Sequence, residues 1–600
     1  MAGHERLERY LSIRMAYDGH PMDDGRIIFL SNILGVPTPF LWDGSPHGPD
    51  PLRLDDIRTT SLELSPTRPW VVLSQDEGGS ERHQLVAVHL TTRIRRPLTH
   101  RPACIHVFGA FFPDGEHFTV TANRRNGRDF ELYLGHLDGR ELEPVDVGRE
   151  MTGVFSAPGV YPDGRALLLV ENVAPFHQRV FRVDLAESGT QGALTLLTPE
   201  EPASYRNVRF EGGRVLATSD WDSEFSRLVA LDEPGQVTVV AEAPGDIELW
   251  AATADGAVAY TVNRGGSSEL HVLTGQHDEQ DQVLGIPPGV MGALRWSADG
   301  ASLVFDLNGP TTPSEVYRLP ISGGDPAPVT RSYRAGFDAR DFIPPELVEI
   351  ESFDGLRIPA WYYRARSDTP SPALIAVHGG PEGQARPIFS ALYQYWLSLG
   401  VSVLAPNVRG STGYGKTFVH LDDVEKRQDA LLDLEAVTRY LQGRPEIDPG
   451  RVVVYGGSYG GYMVMAGLTW FPDLYRAGVE LVGIVNLESF LEKTSPWRRA
   501  LREAEYGSLE RDREVLRALS PIHRIDRLQA PLFIGHGRND PRVPYAEAEQ
   551  VAAALERRGV PYELFSMDDE GHGAVRLSNQ RRLYGAIADF LAARAGYPHE

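Results

Sequence analysis

Residues 452–463 read Val452-Val453-Val454-Tyr455-Gly456-Gly457-Ser458-Tyr459-Gly460-Gly461-Tyr462-Met463. A continuous apolar run enters a G-x-S-x-G pentapeptide and leaves it as an apolar segment of helical character. That order predicts a buried strand, a sharp turn and a helix. A serine on such a turn is held at a strained backbone angle, and the flanking glycines remove the side chains that would collide around it. The hydroxyl is thereby presented at the end of the strand. The helix that starts there points free N–H groups toward developing negative charge. The pentapeptide alone would be a weak signal in a chain with 60 glycines; its strand–turn–helix setting makes Ser458 the expected nucleophile.

A serine hydroxyl needs a base to take its proton and an acid to orient that base. On this architecture they follow in the order acid, then histidine, each on a loop after a strand. The apolar run 531–534 leads into Gly535-His536-Gly537-Arg538-Asn539-Asp540, and 562–565 leads to Asp568-Asp569-Glu570-Gly571-His572-Gly573. Asp540 and His572 fit both order and placement. His536 precedes the acid and lies too near its strand end, so it reads as a structural residue of the loop. His420 and His523 follow no sheet strand, and Asp568 and Asp569 share the histidine's own loop. His378-Gly379-Gly380-Pro381 follows the run 374–377, where this architecture supplies an oxyanion donor. Gly380 and the Tyr459 N–H are the expected pair of donors, with His378 structural.

Around these motifs, from about residue 340, strand and helix alternate: runs at 374–377, 401–406, 451–455, 479–485, 531–534 and 562–565, separated by segments of helical periodicity. Such alternation gives a mostly parallel sheet covered by helices, here an α/β-hydrolase domain. Upstream the rhythm is different. A turn followed by an apolar strand recurs seven times, at 27–30, 70–73, 118–120, 166–170, 215–217, 258–261 and 302–305, spaced by about 43 to 49 residues. Most units carry a second strand, such as 84–90, 131–137, 179–185 and 315–319. Four strands per unit at this period predict a seven-bladed β-propeller, in preference to a large sandwich or two unrelated β domains. Leu7, Tyr10, Leu11 and Met15 fall at helical spacing in a charged N-terminus, which predicts an amphipathic helix and lacks the apolar stretch of a signal peptide. The expected division is residues 1–20 helix, 21–338 propeller and 339–600 hydrolase.

Composition narrows the function. The formal charge is −23, which argues against nucleic acid or an anionic membrane as partner. One cysteine, Cys104, permits neither an intrachain disulfide nor a cysteine-based zinc site, and the 18 histidines show no H-E-x-x-H pattern. No cofactor or metal is expected, no run of residues is apolar enough to span a membrane, and a cytoplasmic location is the default.

Several motifs carry a resemblance. Gly456 to Met463, Asn407-Val408-Arg409-Gly410-Ser411-Thr412-Gly413-Tyr414-Gly415, His378 to Pro381, and Asn539-Asp540-Pro541-Arg542-Val543-Pro544 resemble the prolyl oligopeptidase family of serine peptidases, acylaminoacyl peptidases most of all. The resemblance implies a propeller capping the hydrolase domain, the N-terminal helix packed beside that domain, and short peptides as substrates of a monomer or homo-oligomer. It places the triad on Ser458, Asp540 and His572. It implies that Arg542 holds a substrate backbone carbonyl, and that Ile484 and Leu487 line an apolar pocket for the residue before the cut. The expected activity is release of an N-acylated amino acid from short peptides. Prolyl or general oligopeptidase, carboxypeptidase-like exopeptidase and carboxylesterase are the alternatives. Glu200-Glu201 is a poor match for the glutamate pair with which dipeptidyl peptidases of the family hold a free amino terminus.

Overall fold

The computed structural model describes residues 4–45, 48–187, 189–274 and 280–600. Seven four-stranded antiparallel sheets occupy the N-terminal part, each built from four strands consecutive in sequence. The second strand of each blade is the one that follows the recurring turn: Ile27–Ser31, Trp70–Asp76, His117–Ala122, Ala166–Ala174, Arg214–Ser219, Val258–Arg264 and Ser302–Asn308. These are the most apolar strands and the most buried, because each lies inside its blade with both faces against neighbouring blades. The ring closes by packing between the first and last blades, where Ala16, Ile27, Phe29 and Phe40 share a core with Val304 and Val316. The chain is therefore a seven-bladed β-propeller followed by an α/β-hydrolase domain, with an N-terminal helix.

That helix is shorter than its periodicity implied. It spans Glu5–Leu11, and Leu7, Tyr10 and Leu11 are buried in a cluster with Phe342, Tyr395, Trp396, Ile587 and Leu591 of the hydrolase domain. Met15 is not part of it, because Ala16–Pro21 is already the first strand of blade one, inside the segment 1–20 assigned to the helix. Residues 1–3 of that segment lie outside the described residues.

The hydrolase sheet has eight strands. Glu346–Glu351 and Arg357–Tyr363 pair antiparallel at one edge, followed by Ser402–Pro406, Ser371–Val377, Ile447–Gly457, Ala477–Leu481, Leu532–Gly537 and Tyr562–Met567, all mutually parallel. Loops at the carboxyl ends of the parallel strands carry the expected site residues, as the topology of such sheets requires. Ala477–Leu481 is shorter than the apolar run 479–485. Val482 turns with a φ of 46°, so residues 482–485 form a buried turn in place of further strand.

The propeller sits on the hydrolase by one face. In every blade the segment joining the second and third strands, or its edge, meets the catalytic domain. Gly35 accepts from the Leu577 N–H, and Gly78 from Asn539. Phe130 meets Trp497 edge-on, and Phe176 meets His420 in the same way. Glu224 accepts from the Thr417 N–H and hydroxyl, Gly266 from Arg386, and Asn308 from the Phe389 N–H.

Candidate active site

Ser458 sits between the strand Ile447–Gly457 and the helix Tyr459–Trp470, with φ 59° and ψ −120°. This is the left-handed backbone that the pentapeptide predicts, and the surrounding glycines show why it is affordable only to this sequence. A Cβ on Gly456 would lie 2.4 Å from the Gly460 carbonyl oxygen, one on Gly460 2.2 Å from that of Val377, and one on Gly461 2.6 Å from the Gly483 Cα. The turn therefore packs against both the oxyanion strand and the next strand of the sheet. A Cβ on Gly379 would lie 3.5 Å from the Ser458 Cβ, which puts the loop 378–381 directly beside the serine. Gly380 has φ 140°, a conformation reserved for glycine. Tyr459 opens its helix directly after the serine, so its N–H has no acceptor within that helix.

Asp540 and His572 come together. Asp540 Oδ2 accepts from His572 Nδ1 at 2.7 Å, while Oδ1 accepts from the backbone N–H groups of Arg542 at 2.8 Å and Val543 at 3.0 Å. The carboxylate is fully buried and so completely hydrogen-bonded that its geometry is fixed. Burial works to raise its pKa, but hydrogen bonds and charge from His536 and His572 outweigh it and hold the group well below the usual carboxylate range. It stays ionised, and the Nδ1 hydrogen of His572 is committed to it. That leaves Nε2 as the free nitrogen. Behind the histidine, Glu570 accepts from the N–H groups of Val575 and Arg576 and from Asn579, bracing the loop.

The weighed competitors lie elsewhere. His536 is 0% exposed and its Nε2 lies 3.0 Å from the Val543 carbonyl oxygen and 3.5 Å from Asp540 Oδ2, so it ties the acid loop to its strand. His378 spans Gly379 O and Ser411 Oγ, joining the oxyanion loop to the segment 407–415. His420 pairs with Asp423 and His523 with Glu488. Asp568 pairs with Arg538, and Asp569 accepts from Asn579. Glu200 and Glu201 are exposed on the propeller. Ile484 and Leu487 are 2% and 0% exposed and belong to the apolar core with Phe490, Leu491 and Val543. Packing accounts for them, and they present almost no surface of their own.

Arg542 is engaged with Glu81, from the segment joining the second and third strands of blade two. The same segment presses Gly79 onto Gly571, next to His572; a Cβ on Gly79 would lie 2.2 Å from the Gly571 nitrogen. On the other side of the site Glu382, directly after the oxyanion loop, pairs with Arg502 at 3.1 Å. Neither Glu81 nor Arg502 is legible from the sequence. Glu81 lies 461 residues from its partner, and nothing local to either marks the pairing.

Behind the nucleophile, Arg427 is fully buried between Asp422 and Glu505 at 2.7 Å each. The Tyr459 hydroxyl donates to Asp422, so this ionic group steadies the residue that follows the serine. Burial raises the pKa of both carboxyls. A cavity of about 890 Å3 runs along the propeller axis and reaches the catalytic domain at Glu382, Leu501 and Arg502.

A strained serine on a strand-to-helix turn, a glycine loop beside it, and an aspartate–histidine pair on the following loops define a hydrolase with a nucleophile elbow. Residues 387–597 match the sequence model of the prolyl oligopeptidase family, and the catalytic part of this chain belongs to that family. Dipeptidyl aminopeptidase BIII of Pseudoxanthomonas mexicana is 30% identical over 333 residues, 53% of this chain and 48% of that protein. The human acylamino-acid-releasing enzyme is 28% identical over 239 residues, 38% of this chain and 32% of that protein. The chain thus spans about half or less of the length of these relatives. Over the whole chain the fold matches a crystal structure of puromycin hydrolase, with a TM-score of 0.85 at 20% identity, covering 98% of this chain and 96% of the other.

Proposed function

We propose that this protein is a serine peptidase that cleaves short peptides through an acyl-enzyme, and that it releases N-acylated amino acids. The observation that carries the first part is the Asp540–His572 hydrogen bond, on loops at the same carboxyl edge of the sheet as the Ser458 elbow, under a propeller. Ser458 Oγ attacks the scissile carbonyl while His572 Nε2 takes its proton. Tyr459 and Gly380 donate to the oxyanion; losing such a donor costs about 3 kcal/mol of transition-state stabilisation. His572 then gives the proton to the leaving amine, and a water activated at the same nitrogen hydrolyses the acyl-enzyme. Arg542, fixed by Glu81, holds a carbonyl of the acyl segment.

Support for a blocked amino terminus comes from charge. Of the carboxylates near the site, Glu81 and Glu382 are each paired with a guanidinium, which leaves neither free for an ammonium group. The apolar preference before the cut rests on the resemblance alone, since Ile484 and Leu487 are buried in the core. The higher identity to a dipeptidyl aminopeptidase favours a second reading, a free amino terminus two residues from the cut. Rates on acetyl-Leu-p-nitroanilide, Ala-Leu-p-nitroanilide and p-nitrophenyl butyrate separate the possibilities. The blocked anilide should be turned over at least tenfold faster than the free dipeptide; the reverse order establishes the second reading, and hydrolysis of the ester alone refutes both.

A further inference from the structure

Three guanidiniums converge beside the triad, and two of them are held in ion pairs. Arg542 has Glu81 and Arg502 has Glu382. Arg498 has no ion pair of its own among the described residues: its Nε is buried without an acceptor and its guanidinium lies over its neighbour Trp497, with Glu81 and Asp540 acting on it only from a distance. Burial, then the positive charges of Arg542 and Arg502, push its pKa down to about 10. An unpaired cation in such a place is destabilising unless something else supplies the counter-charge.

The placement is rigid. Arg498 lies one turn before Arg502 on the helix Pro496–Tyr506, so both project from one face. The start of that helix is fastened to the catalytic acid loop: Ser495 Oγ donates to the Pro541 carbonyl and Thr494 Oγ1 to that of Arg542, each at 2.8 Å. Trp497 packs on Phe130 of the propeller. The next turn, at Leu501 and Arg502, lines the axial cavity with Glu382. A peptide reaching the triad from that cavity passes this helix at Leu501 and Arg502, one turn from Arg498.

We propose that Arg498 is a substrate-binding residue that receives a carboxylate of the peptide, either the terminal one or that of an acidic side chain. The inference rests on the peptidase reading for the identity of the ligand. A planar guanidinium with no ion-pair partner offers the two parallel donors that a carboxylate accepts.

Binding to the Ser458→Ala variant tests this without turnover. Calorimetric titration uses acetyl-Ala-Leu-Ala as the free acid, the same peptide as its amide, and acetyl-Glu-Leu-Ala-amide. At least one carboxylate-bearing peptide should bind tenfold or more tighter than the neutral amide, and which one does so identifies the source. Adding Arg498→Ala should bring the ratio within twofold, and Arg498→Lys should restore part of it. Equal affinities for all three peptides, or a preference that survives Arg498→Ala, overturn the proposal. Turnover of the same peptides by the unmutated protein keeps the two readings apart. Peptides bound with the preference but never cut refute the peptidase and leave the subsite standing, whereas peptides cut without preference refute the subsite alone. Peptides neither bound nor cut overturn both.

Discussion

Ser458 holds its angle because Gly456, Gly460 and Gly461 leave no room for side chains, and Asp540 holds His572 because all its acceptor positions are filled. Ser458→Ala should therefore lower kcat by about 10^4 or more with the melting temperature little changed, because triad members act as a unit. A fluorophosphonate probe followed by peptide mapping should find its label on Ser458 alone. Arg542 is a more divided residue, since its backbone N–H donates to Asp540 while its side chain bonds to Glu81. Arg542→Ala should cost peptide substrates roughly tenfold or more in kcat/KM while costing small p-nitrophenyl esters far less, because an ester offers no second carbonyl to position. Equal losses would assign Arg542 to the domain interface only. At this scale the sequence was informative wherever a side chain's role follows from the strand it comes after: Ser458, Asp540, His572 and the loop at Gly380. It was silent on Glu81, Arg498 and Arg502, whose meaning arises only when the propeller and the inserted helix fold over the loops.

Among elements, the segment joining the second and third strands of blade two bears on catalysis. Gly79 has φ 73° and lies against Gly571. Gly79→Ala should push that segment off the His572 loop and reduce kcat/KM by about tenfold or more, with a smaller fall in melting temperature; unchanged kinetics would show that the contact is incidental. Blade seven contains a different strain. Asp306 is buried on the strand Ser302–Asn308, and burial, followed by the nearby charge of Asp18, lifts its pKa to about 7 despite the Asp18 N–H that it accepts. A carboxyl whose folded pKa is raised contributes fully below its unfolded pKa, and that contribution is lost as pH rises from about 4 to about 7. Asp306→Asn removes the titration. It should be the more stable protein at pH 8, by up to about 4 kcal/mol, and should match the unmutated protein near pH 4, as read by urea unfolding. The seven turn-and-strand units were legible because each inner strand is apolar and preceded by a turn. The outermost strands were not, several being only two residues long and polar or proline-containing, such as Asp50–Pro51 and Glu143–Pro144. Pattern also overran at 482–485, where burial keeps a turn as apolar as the strand before it.

For the whole molecule, the ring covers the mouth of the hydrolase sheet and offers an axial cavity of about 890 Å3. Access should be limited by size. Acetyl-Leu-p-nitroanilide and peptides below roughly 30 residues should be cut, while reduced casein should resist over the same interval on gels; rapid digestion of casein would show that the propeller does not gate the site. This length is the one that the resemblance to the prolyl oligopeptidase family implies.

The seating of all seven blades has a further consequence for how such a protein can vary. A free-standing propeller is a repeat array, and repeat arrays gain and lose units by duplication and deletion because each unit contacts only its neighbours. Here each unit also has an assigned place on an asymmetric partner, from Gly35 at Leu577 round to Asn308 at Phe389. Deleting or inserting one blade would change the angular step of the ring and carry the remaining contacts out of alignment together. The number of repeats is thus set by the domain underneath, and variation is confined to what each blade presents at its rim.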